Sequence, residues 1–208
     1  MKKSLQLLII AAITMTFAFA AQAGKVYNGY VVTIGNETIH GKIEMLSPSL
    51  NEMKVKFFSK EGKKTIFKAK ELKSYSFQVP TYDKATKSQK LEWITYTRKM
   101  VERSPMPFGT KDVLLERLEK GSISLYNHFI ETRSGATAMT HEYYVEKGSE
   151  TVSVTRANFK TVLKDMTSDY PALSAKVGKK GYGYKYIARI IAEYNQYNSN
   201  DNGLFGMK

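Results

Sequence analysis

VLLERLEKGSISLYNHF, residues Val113 to Phe129, is the hinge of the chain: short strand-like runs precede it and helix-like spacing follows. Lys120-Gly121 lies between two apolar runs. That is a two-residue hairpin signal, because Gly accepts positive φ without steric cost. A hairpin puts Leu114 and Leu118 on one face with Ile123 and Leu125. A helix over Val113–Leu118 is the competing reading, since Leu114, Leu115 and Leu118 also fit a helical face. The hairpin is preferred.

Towards the N-terminus the period is two. Tyr30, Val32 and Ile34 alternate on one face, and Gly35-Asn36-Glu37 supplies a turn. Ile39, Gly41, Ile43 and Met45 alternate on the return strand, with Thr38, His40, Lys42 and Glu44 opposite. Pro48 and its flanking serines break the pattern. Met53, Val55 and Phe57 resume it, Lys60-Glu61-Gly62-Lys63 turns, and Thr65-Ile66-Phe67 returns. Leu72–Val79 makes a fifth strand, with Tyr75, Phe77 and Val79 on one side. Pro80–Lys90 is polar and reads as a surface loop. Leu91–Val101 carries Trp93 on one face and Ile94 and Tyr96 on the other, which suggests an inner strand. Ser104–Thr110 and Thr132–Thr140 read as loops. His141–Glu146 and Thr151–Thr155 are the last strands expected.

After Thr155 the period changes. Phe159, Val162, Leu163 and Met166 stand at helical spacing, with Thr155 as the expected N-cap. Pro171 opens a short helical segment bearing Leu173 and Val177, and Gly178 stops it. Tyr184, Ile187, Ile191 and Tyr194 mark a final helix. Asn195–Gly203 is Asn-rich and carries little apolar surface.

The first residues bear on destination. Lys2 and Lys3 precede the apolar run Leu5–Ala20, and Ala21-Gln22-Ala23 has the small-x-small form of a cleavage site, so the mature chain is expected to begin at Gly24. The run is shorter than the about 20 residues of a spanning helix, and no second long apolar run follows. The chain contains no Cys, so stability is expected to rest on packing. Its formal net charge is +13, and loss of Lys2 and Lys3 takes it to +11. A basic exported chain suits anionic lipid head groups, acidic glycans or acidic proteins. Export argues against nucleic acid.

Gly29-Tyr30-Val31-Val32-Thr33 leading to Gly41-Lys42-Ile43, the run Gly121–Tyr126, and Phe159–Asn195 with Tyr170-Pro171 and Tyr184 resemble a pattern found in uncharacterised exported proteins of Bacteroidota. The resemblance implies export and a β-then-α layout, and no activity.

Sites of chemistry are sparse. His40 lies on a polar strand face and His128 near the end of a strand, and both read as ordinary strand residues. His141-Glu142-Tyr143-Tyr144-Val145 begins like HExxH, but Val145 replaces the second His and the segment reads as a strand. Gly181-Tyr182-Gly183 lacks the strand–loop–helix setting of a dinucleotide fingerprint. Gly121-Ser122-Ile123-Ser124-Leu125 is not a nucleophile elbow. No catalytic residue, cofactor or metal ligand is assigned. Tyr184 and Tyr194 fall in register with Ile187 and Ile191 and are expected to pack the last helix onto the sheet. The candidate interaction surface is Tyr182 and Tyr186 with Lys179, Lys180, Lys185 and Arg189, since Tyr and Arg favour interfaces. Lysines from Lys54 to Lys73 are spaced through strands in a way that also discourages edge pairing.

The expected fold is therefore α+β, an N-terminal antiparallel sheet or partly open barrel followed by two or three C-terminal helices packed on it. The expected division is a leader over 1–23, a β-rich part over 24–155, a helical part over 156–198 and a flexible tail over 199–208. The expected function is an exported, non-enzymatic binding or structural module of the bacterial envelope, periplasmic or extracellular, meeting a glycan, lipid or protein. An envelope hydrolase acting on glycan or peptide is the alternative, and a basic protein held to an anionic envelope surface is a third reading.

Overall fold

Residues 113–129 form a hairpin. A computed structural model of the chain describes residues 24–102, 110–131 and 139–205; the expected leader, and most of the two loops expected at 104–110 and 132–140, lie outside them. Ten strands make one antiparallel open sheet: β1 (Val26–Thr33), β2 (Thr38–Glu44), β3 (Lys54–Phe58), β4 (Lys64–Lys68), β5 (Leu72–Asp83), β6 (Ser88–Glu102), β7 (Thr110–Glu119), β8 (Ile123–Glu131), β9 (Met139–Lys147) and β10 (Glu150–Val154). Among the described residues four α-helices accompany it: α1 (Pro48–Met53), α2 (Phe159–Met166), α3 (Pro171–Ser174) and α4 (Ile187–Phe205). The antiparallel α+β class read from the sequence is the one observed.

The spatial order is β10-β9-β8-β7-β6-β5-β1-β2-β3-β4. Strand β1 is thus internal, and β5 returns from β4 to pair with it. Only the 3-10 turn Ala69–Glu71 makes that return. Such a link reaches about 14 Å at full extension. Four strand spacings on a flat sheet amount to about 19 Å. The β5-β1-β2-β3-β4 half must therefore coil on itself. Two glycines permit the coiling. Gly29 and Gly41 face each other across β1 and β2. A Cβ at Gly29 would lie 2.3 Å from the Ser76 carbonyl oxygen, and one at Gly41 would lie 2.3 Å from that of Phe58. A strand glycine at a close backbone approach marks such a bend.

The inner face of the coil holds Val31, Ile43, Val55, Phe57, Leu72, Tyr75, Phe77, Tyr96 and Leu114, all buried. Tyr75 and Tyr96 stack at 4.7 Å between ring centres. A second buried cluster joins Ile123, Leu125, Val145 and Val154 to Phe159, Leu163 and Met166 of α2, Leu173 of α3, and Ile187, Ile190, Ile191 and Tyr194 of α4.

Several expectations need correction. In β1 the buried residues are Gly29 and Val31, with Tyr30 and Val32 on the other face and Ile34 exposed in the turn. The Val31↔Ile39 and Gly29↔Gly41 pairs set that parity. Pro48–Met53 is a helix, not a break, and Met53 ends it exposed instead of starting a strand. Pro80–Lys90 is not a loop. Strands β5 and β6 run on as a hairpin to Asp83↔Ser88, past the last partners of β1 and β7. The turn from β7 to β8 has three residues, and a bulge at Leu118 takes that side chain off the shared face to 38 % exposure. The N-cap of α2 is Asn158, not Thr155; the two exchange hydrogen bonds in the preceding turn, Thr155 N–H to Asn158 Oδ1 at 2.7 Å and Asn158 N–H to Thr155 Oγ1 at 3.3 Å. Helix α4 continues through the Asn-rich run to Phe205, across the start of the expected tail. Elongating a formed helix costs far less than starting one, so poor helix formers can follow Tyr194.

Candidate functional site

The sheet register assembles one surface from residues that look unrelated in sequence. Directly opposed residues share a face. Asn28 opposes Lys42 and Tyr30 opposes His40. Tyr30 also opposes Ser76, and two residues on Gln78 opposes Trp93. Asn28, Tyr30, His40, Lys42, Gln78 and Trp93 therefore lie together on the outer face of the coil. The Trp93 ring is 5.5 Å from Tyr30, and Tyr30 is 5.6 Å from His40. Trp93 is 53 % exposed.

Beyond Gly29↔Phe77 the partnership of β1 and β5 ends. Val26 and Asn28 thus separate from the hairpin formed by β5 and β6. The parting leaves a groove of about 770 Å³, lined by Asn28, His40, Lys42, Phe58, Lys60 and Trp93 among others. A smaller recess of about 380 Å³ lies alongside, bounded by Val26, Gln78, Pro80 and Leu91. Leu91 is 62 % exposed and extends the apolar floor. The carboxylates adjoining the groove are already engaged. Glu44 pairs with Lys56 at 2.7 Å, while Glu92, paired with Lys90 at 2.7 Å, lies on the strand face opposite Trp93. Ser59 and its own backbone hydrogen-bond Glu61 and hold its carboxyl below the usual range, with Lys60 adding to the effect. Lys42 and Lys60 form no ion pair among the described residues.

A second polar cluster lies inside. The β7–β8 ladder stops at Glu116↔Asn127. Beyond it Phe129 N–H donates to Glu52 Oε1 at 2.7 Å, and Glu52 Oε2 lies 2.7 Å from His128 Nδ1. Glu52 comes from α1, so that short helix inserts a carboxylate where a strand partner would be. Burial pushes the Glu52 carboxyl up, while His128 and the Phe129 N–H oppose the shift. The sequence reading of His128 as an ordinary strand residue is corrected, for it is buried and bonded. Asn127 links Glu116 at 3.2 Å to His141 Nδ1 at 3.2 Å. Burial beside Tyr96, Glu52 and Glu116 pushes the Tyr75 hydroxyl well up. Its hydroxyl donates to the Asn51 carbonyl oxygen at 3.1 Å.

The candidate surface read from the sequence is partly brought together. Arg189 stacks over Tyr182 at 4.8 Å and Tyr186 at 5.4 Å, and Lys185 lies over Tyr186 at 4.8 Å. Arg189 also donates to the Gly181 carbonyl oxygen at 2.9 Å, and the Tyr182 hydroxyl donates to Glu193 at 3.1 Å. These contacts clasp the loop onto α4, so most of the cluster is directed at the protein itself. Lys179 and Lys180 are exposed beside it. Tyr184 and Tyr194 pack with the helices in the second cluster.

Sequence reasoning overlooked the groove. Its one signal was a Trp on the strand face opposite Ile94 and Tyr96. Among the described residues no group of three His, Asp or Glu could hold a metal ion. Among them, too, no helix is long and apolar enough to cross a membrane, which says nothing of a β-barrel. No family model, curated protein or solved structure matches the chain.

Proposed function

We propose that the protein is an exported, non-enzymatic binding module of the bacterial envelope and that the groove at Trp93 holds a carbohydrate. One observation carries the reading. A half-exposed indole packs beside Tyr30 where the β5–β6 hairpin leaves β1, with Asn28, Gln78 and His40 on the same face. Trp93 and its neighbour Leu91 on the same face, at 53 % and 62 % exposure, together offer an apolar surface to a ligand. A sugar presents an apolar C–H face to such a ring and hydroxyls to the polar rim. The leader pattern at residues 1–23 supports export. The buried contacts of Glu52 and Glu116 support a binding role over hydrolysis, since both carboxylates are held by neighbouring protein groups. We read the helical part as an integral layer on the sheet, because one apolar cluster runs through both.

Calorimetric titration of the mature chain with soluble envelope polysaccharide tests this. Wild type should bind, and Trp93→Ala should weaken binding tenfold or more with an unchanged melting temperature. Equal binding by the two proteins would overturn the proposal.

A further inference from the structure

We propose that the sugar held at Trp93 is a uronic acid within a polysaccharide, its carboxylate lying against Lys42 and Lys60. This rests on the carbohydrate reading of the groove and specifies its ligand. Lys42 and Lys60 both line the groove that Trp93 floors, and both are exposed. Neither is neutralised by an ion pair among the described residues. No Asp or Glu belongs to the lining. The nearby carboxylate of Glu44 is paired with Lys56, and Glu92 lies on the strand face opposite Trp93. Glu61, next to Lys60, is held by Ser59, its own backbone and the charge of Lys60, and offsets part of that charge. The local field is therefore positive, over a floor that is aromatic.

A ligand matched to both features has a flat apolar face and a negative edge. A lipid head group supplies charge without a stacking face. An acidic peptide supplies charge on flexible stems. A uronate has its carboxylate at the ring edge, equatorial, which leaves the C–H face open to the indole. Asn28, His40 and Ser59 lie within reach of the same groove for the hydroxyls. Lysine suits this role, since an ammonium is a point charge with rotatable donors and does not demand one fixed geometry.

Three matched oligosaccharides decide the matter: tetragalacturonate, the neutral galactose tetramer and a sulfated galactose tetramer. Each is titrated against wild type, Trp93→Ala and the double variant K42M/K60M. Tetragalacturonate should bind wild type at least tenfold tighter than the neutral tetramer at low salt. The advantage should shrink as salt rises and vanish in K42M/K60M, while Trp93→Ala weakens both sugars. Equal, Trp93-dependent binding of acid and neutral sugars would overturn the uronate assignment and leave the carbohydrate reading standing. An acid preference that survives K42M/K60M would also overturn it. Tighter, lysine-dependent binding of the sulfated tetramer would replace carboxylate by sulfate. Binding of none would remove the uronate and count against the carbohydrate reading too. Unchanged melting temperatures of the variants confirm that the groove, and not the fold, was altered.

Discussion

Asn195 and Ile123 exchange two hydrogen bonds: the Ile123 N–H donates to Asn195 Oδ1 and the Asn195 amide donates to the Ile123 carbonyl oxygen, both at 2.8 Å. Ile123 pairs with Lys147 of β9 on one side, while its other side lies past the last β7 pair, Glu119↔Leu125. A helix side chain thus stands in for a strand. Gly121 makes room, since a Cβ there would sit 2.3 Å from Asn195 Cγ. Asn195→Ala should cost about 1–3 kcal/mol, the range for leaving buried partners unpaired. Gly121→Ala should act by expelling the same amide. The double variant should then lose less than the sum of the two, as chemical denaturation can measure. Strict additivity would mean that the amide is not the shared cause.

Glu52 predicts a pH signature. Burial raises its carboxyl above 4.5, against the pull of His128, Phe129 N–H and Lys111. A group raised in the folded state binds its proton more tightly there than in the unfolded chain. Its stabilising contribution is therefore complete below 4.5 and is lost as pH rises through the raised value. Glu52→Gln removes that titration. Relative to Glu52→Gln, wild type should lose stability as pH rises from 4.5 upward. Urea unfolding of both proteins over the acid-to-neutral range checks this, and a difference of opposite slope contradicts it.

Gly41→Ala should destabilise by about 1–3 kcal/mol or more, as overpacking does. Its new methyl meets the Phe58 carbonyl oxygen and, at 2.5 Å, the Phe57 ring. Gly35→Ala is the control. Its nearest neighbour would be Thr33 Oγ1 at 3.7 Å, so the change should stay within about 0.5 kcal/mol. Similar melting points for the two variants would mean that Gly41 does not permit the bend.

Leu163→Ala should cost about 2–5 kcal/mol, because Leu163 is fully buried between sheet and helices. Trp93 is the only Trp and lies on the other face of the sheet, so its fluorescence should fall in the same transition as the far-UV signal. Two separated transitions would show the helical part melting by itself.

The strands legible in the sequence were those with one wet face. Ile39–Met45 and Leu72–Val79 alternate because one side meets the core, and alternation survives in a linear reading. Pro48–Met53 was not legible: too short for a helical period, it is held by partners such as Tyr75 and His128, which lie far along the chain. Asn195 looked like tail because an isolated amide says nothing of Ile123. The groove at Trp93 escaped for a related reason. Its residues come from β1, β2, β3, β6 and the turn after β3, and only the register brings them together. The Tyr182–Arg189 cluster was visible because it is local, and locality is also why the Arg189 guanidinium ends on the adjoining loop.

The internal position of β1 sets an order of events in folding. The hairpins β1–β2 and β3–β4 close over short distances and can form within microseconds. The Val31↔Tyr75 pairing must wait for β5, and the Ile123–Asn195 contact spans 72 residues. Contacts of such long range slow a chain's search. A growing chain therefore builds its sheet outward from β1 and is left, late in synthesis, with Ile123, Leu125 and Val145 facing water. Until the segment from Phe159 to Tyr194 has emerged that face stays uncovered, and over this interval the chain is most exposed to aggregation and most in need of a holding chaperone.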